Sequence, residues 1–173
     1  MGSMNINSLQ RITTRYIPAE DRIRLSGQTP GGDTVVLWLT QRLLMRLLPS
    51  LLQWIDGNGG DILHAEAVQS FRQAAARASL EPLAPVPVHA GNDQAAWLVM
   101  EVGLQVGPDG VRLTFKGQGH RLATVALVAR ALRQWLNILH DAWRGAGWPL
   151  TVWPQWMLEA APSAGRRQAP VVH

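Results

Sequence analysis

The chain has 173 residues, 47% apolar and 16% charged, and no cysteine. That length suits one domain with its own core, and the composition excludes global disorder, a disulfide scaffold, a Cys-ligated metal site and a thiol nucleophile. The formal charge is +4, and the pI of 10.9 reflects arginine usage, because Lys116 is the single lysine and arginine does not titrate below about pH 12.

Met1–Met4 reads as a tag remnant followed by a start, and residues 1–8 are expected to be a flexible N-terminus. Neither a secretory signal nor an apolar run long enough for a membrane span is visible, so a cytoplasmic protein without membrane contact is the expectation. Arg11–Ile17 is β-branched and ends at Pro18, which predicts a first strand. Asp21–Ser26 alternates, with Ile23 and Leu25 on one face and Arg22 and Arg24 on the other. The Gly/Pro-rich stretch 27–33 predicts a turn, and Thr34–Leu39 the returning strand of a hairpin.

Leucines at helical spacing predict a helix over Gln41–Asp56, with Thr40 as N-cap and a kink or break at Pro49. Gly57, Gly59 and Gly60 stop it, and the Ala-rich stretch Asp61–Ser79 predicts a second helix. Pro82, Pro85 and Pro87 mark residues 81–93 as a connector between two halves, 9–80 and 94–158. Trp97–Val106 and Val111–Lys116 alternate around the turn Gly107–Gly110, which predicts a second hairpin. His120–Gly145 is predicted as one long helix, apolar on two sides. Residues 159–173 are expected to be a disordered tail.

These elements give an α+β fold. Two β-hairpin–helix units form an antiparallel sheet covered by helices, with a long C-terminal helix. In order of elements alone, the pattern resembles the head domain plus stalk of eukaryotic end-joining scaffold proteins. That resemblance implies a helix that projects and self-associates.

Catalytic and cofactor signatures are sparse. Asp61 and His64 share a helical face but Glu66 does not, and His140 and Asp141 diverge, so no metal site is expected. His89, His120 and the terminal His173 have no ligand-spaced companions. Nucleophile-elbow, Walker and dinucleotide motifs are absent. Gly117-Gln118-Gly119-His120 precedes the predicted helix, where backbone N–H groups can hold an anion, but it lacks a third glycine and a lysine. No cofactor is expected.

The eight tryptophans divide. Trp38, Trp54, Trp97, Trp135 and Trp143 lie in periodic elements and read as core. Trp148, Trp153 and Trp156 fall in a Pro-broken segment that must cover an apolar surface, its own or a partner's. The favoured expectation is a non-enzymatic, self-associating scaffold or protein-binding module, a homodimer. Its interface is placed on Leu122, Val125, Leu132, Trp135, Leu136, Leu139, Trp143, Trp148, Trp153 and Trp156. One alternative is a nucleic-acid-binding module using Arg22, Arg24, Arg112 and Lys116 on a shared sheet face. Another is a small-molecule-binding protein or enzyme with a Trp-lined pocket.

Overall fold

The computed structural model describes residues 6–57, 65–78, 87–88 and 95–160. The class is α+β. The strands divide between two four-stranded sheets, ordered β1-β8-β7-β6 and β2-β3-β4-β5, where β1 is Asn7–Leu9, β2 Arg11–Ile17, β3 Arg22–Gln28, β4 Thr34–Leu39, β5 Trp97–Leu98, β6 Glu101–Val106, β7 Gly110–Lys116 and β8 Leu122–Val128. The helices are α1 (Gln41–Gly57), α2 (Ala65–Ala78), α3 (Ala129–Ala146) and α4 (Gln155–Ala160).

The chain crosses between the sheets twice. Gln10 separates β1 from β2, and Val99-Met100 separates β5 from β6. The predicted strand Trp97–Val106 therefore breaks in two. Val99 N–H still donates to Trp38 O in one sheet, and Met100 N–H already donates to Lys116 O in the other. Period-2 alternation does not register a strand that changes sheets. Asn7 and Ser8, expected in the flexible N-terminus, pair in parallel with Ala123 and Thr124.

The inner faces of both sheets meet in one core. Ile23, Leu25, Leu37 and Leu39 face Val111, Leu113, Phe115 and Val125, all buried. Two glycines permit the approach. A Cβ on Gly27 would stand 2.5 Å from Leu9 Cδ1, and one on Gly117 would collide with the Trp97 ring.

Thr40 caps α1 as predicted, its Oγ1 accepting from Leu43 N–H at 3.2 Å. Pro49 lies inside this one helix rather than dividing it. Its missing N–H deprives the Met45 carbonyl of a partner, and both residues are exposed, so water can supply one. Leu44, Leu48, Leu51 and Ile55 turn into the core.

The predicted helix His120–Gly145 is corrected at its start. Residues Leu122–Val128 are β8, paired from Gly110↔Val128 to Lys116↔Leu122. In LATVALV nearly every residue is apolar, so helical spacing and alternation fit equally well. β-Branched Thr124, Val125 and Val128 and the neighbouring β7 favour the strand. The helix then starts at Ala129, whose N–H donates to Asp109 O. It ends at Gly147 in the left-handed conformation (φ 69°). The chain then folds back, so α3 is not a projecting stalk. Among the described residues no helix is long and apolar enough to cross a membrane.

Candidate interaction edge

The residues expected at an interface lie mostly in this chain's own core. Leu132, Trp135, Leu136, Leu139 and Trp143 of α3 are buried, and Val125 belongs to the inner face of β8. Leu122 is half-buried on the outer face of that strand. Trp148, Trp153 and Trp156 are buried too, because the segment after Gly147 covers the end of α3. A chain of edge-to-face contacts holds it: Tyr16 to Trp148 (5.5 Å between ring centres), Trp148 to Trp143 (4.9 Å), Trp143 to Trp153 (5.8 Å) and Trp153 to His140 (4.9 Å). Trp143 Nε1–H donates to Pro149 O at 2.8 Å.

Asp21 closes this cluster. It sits in the β2–β3 turn at φ +49°, a left-handed conformation that Asp tolerates. Its Oδ1 accepts from Trp148 Nε1 at 2.9 Å and from the Tyr16 hydroxyl at 2.8 Å. Those two donors hold the Asp21 carboxyl below its ordinary pKa, Trp148 first and Tyr16 second. The Tyr16 phenol is raised by its hydrogen bond to the same carboxylate.

His140 is the other polar member. It is 1% exposed, and neither ring nitrogen has a hydrogen-bond partner. Burial pushes its pKa down; Asp141 opposes this, and Arg144 and Arg77 add to it. On the α2 side, Gln73 is buried and donates to Arg133 O at 2.6 Å, and Arg77 pairs with Asp141. Burial also lowers the Arg133 guanidinium to about 10.

The arginines expected on one face stand on two sheets. Arg22 and Arg24 project from the outer face of β3, opposite Ile23 and Leu25. Arg112 and Lys116 project from β7 in the other sheet, and Lys116 Nζ pairs with Glu101 at 2.8 Å. The two hairpins occupy different sheets, so alternation within each does not bring their outward cations together. Gly117–His120 connects β7 to a strand, so the helix N-terminus required for the anion reading is absent there. His64 and His89 lie outside the described residues, as do Asp61 and the side chain of Glu66. Among the described residues no group of His, Asp and Glu is arranged to hold a metal ion.

The site that sequence reasoning missed is the free edge of β6, the last strand of its sheet. Gly107 N–H donates to Gly110 O at 2.9 Å, which fixes the phase of the β6–β7 ladder. Residues 101, 103 and 105 therefore exchange hydrogen bonds with β7. Val102, Leu104 and Val106 turn their N–H and C=O groups the other way, where no described strand pairs with them. Beside this edge runs α1. Between them lies a groove of about 230 Å³, lined by Leu43, Arg46, Leu47 and Ser50 of the helix and Met100, Glu101, Val102 and Leu104 of the chain opposite. Trp54 Nε1–H donates to Gly107 O at 3.3 Å and ties α1 to the residue that follows β6. Met100 and Val106, at the two ends of the edge, are 66% and 61% exposed. The alternation of β6 is legible in the sequence; its place as an edge follows only from the sheet order.

Comparison with models of known protein families, with curated proteins and with solved structures returns no match.

Proposed function

We propose that the chain is a non-enzymatic, self-associating protein-binding module that takes an added β-strand on the edge of β6, over the groove against α1. The observation that carries this reading is the row of outward backbone groups at Val102, Leu104 and Val106 beside a groove lined by both apolar and polar side chains. Strand addition supplies affinity through main-chain hydrogen bonds and specificity through pockets for alternate side chains. Proteins ordinarily blunt an open edge with proline, inward charge or a covering element. From Val102 to Val106 β6 has no proline and no charged residue.

Selection of displayed random peptides on the full chain tests the proposal. Enriched sequences should alternate apolar and polar residues and lose binding to Val106→Pro. Proline there deletes an outward N–H and spares the β6–β7 ladder. No enrichment, or peptides that bind the variant equally well, contradicts it.

A further inference from the structure

We infer that the strand added to β6 is β6 of a second copy, antiparallel about a two-fold axis through Leu104. This inference rests on the edge reading above and names its occupant.

The first argument is register. The outward backbone groups belong to residues 102, 104 and 106. A two-fold at Leu104 pairs Val102 with the second copy's position 106 and Leu104 with its own equivalent. Every outward N–H and C=O then meets another outward group, with the same residues used on both sides, as an isologous contact requires. A shift by one residue would set outward groups against inward ones and leave the edge unpaired. The remaining pair on the outer face is Gly103 against Gln105, small against uncharged, with no like charges opposed.

The second argument is charge. Arg46 lines the groove together with Met100 and Glu101, whose carboxylate is paired with Lys116; Arg42 stands one helical turn before Arg46, and both arginines are exposed. The antiparallel register brings the second copy's turn, residues 107–110, to that end. The turn carries Asp109, which is exposed. The two-fold repeats the same complementarity at the other end. Exposed Met100 and Val106 are covered in the same contact.

The absence of cysteine makes the register directly testable. Gly103 and Gln105 form the non-hydrogen-bonded pair of this register, in which Cα atoms lie about 4.5 Å apart, within disulfide range. A Cβ at position 103 meets Thr114 Cβ at 3.6 Å, ordinary contact, so a cysteine fits there.

The experiment is sedimentation of the full chain over a concentration series, with Val106→Pro and the double variant Gly103→Cys/Gln105→Cys alongside. The expected result is a mass that doubles as concentration rises, no doubling for Val106→Pro, and a covalent dimer for the oxidised double variant but not for Gly103→Cys alone. If Val106→Pro fails to unfold cooperatively, the cysteine pair decides by itself. A mass that stays that of one chain with no covalent dimer overturns the second copy, as does a dimer that survives Val106→Pro and does not cross-link. A single-chain protein that still selects strand-forming peptides at β6 overturns this inference alone; loss of both overturns the edge reading as well.

Discussion

Trp148 donates its indole N–H to Asp21 Oδ1 at 2.9 Å, fastening the segment after α3 to the turn between β2 and β3. One carboxylate oxygen serves this indole and the Tyr16 hydroxyl together. That contact acts with the ring packing of Trp148 and Trp153 on Trp143 to hold the Pro-broken Trp segment. It lies on its own domain.

Asp21 therefore ties stability to acid. Its folded-state pKa is lowered, so its contribution is present above the ordinary carboxylate value of about 3.9 and is lost as pH falls through the folded value. Asp21→Asn should lower the thermal midpoint at pH 7 and converge with the parent at strongly acidic pH. Thermal unfolding followed at both pH values checks this; an equal offset at both would remove the charge from the account.

His140 gives a slope of the same sign in a higher pH window. Its folded-state pKa is depressed by burial, while in the unfolded chain it takes a proton near pH 6.5. Stability should fall as pH drops below the unfolded value and level off once the folded value is passed. The groups facing it are Asp141 and Arg144 from α3 and Arg77 from α2, with Trp153 from the returning segment. His140→Phe keeps an aromatic ring against Trp153 and removes both unpaired nitrogens. The variant should lose less stability than the parent between pH 8 and pH 5. Parallel slopes for the two proteins would show that His140 titrates freely.

Trp143 is fully buried and touches both Trp148 and Trp153. Trp143→Ala should cost about 3–5 kcal/mol, the range for deleting a large core aromatic. Equilibrium urea unfolding measures it. A cost below about 0.5 kcal/mol, within the range of ordinary surface substitutions, would mean that the cluster does not act as core.

Gly27 tests how the sheets approach. A methyl group there meets the buried Leu9 side chain, so Gly27→Ala should destabilise by about 1–3 kcal/mol. Leu9→Ala opens that space, and the double variant should be more stable than the sum of the two single costs predicts. Additive losses would contradict the contact.

The hairpins, the Thr40 cap and the core leucines of α1 are legible because each has a local cause: alternation, a side-chain oxygen at a helix start, and helical spacing. β8 is not, since an all-apolar run satisfies both periods until its neighbour is known. The break at Val99-Met100 is hidden for a related reason, because a strand that changes sheets keeps its alternation. Arg22 and Arg112 each point outward as their strands predict, yet whether they share a face depends on sheet order. The edge of β6 belongs to the same class: its residues are visible in the sequence, but its missing neighbour is a property of the whole topology.

Backbone amide hydrogen exchange at Val102, Leu104 and Val106, followed residue by residue as protein concentration rises, tests the edge most directly. The account predicts amides that exchange quickly in dilute protein and become protected together at high concentration, while their neighbours Gly103 and Gln105 stay protected throughout by β7. Exchange at those three amides that is fast at every concentration, or slow at every concentration, would contradict it.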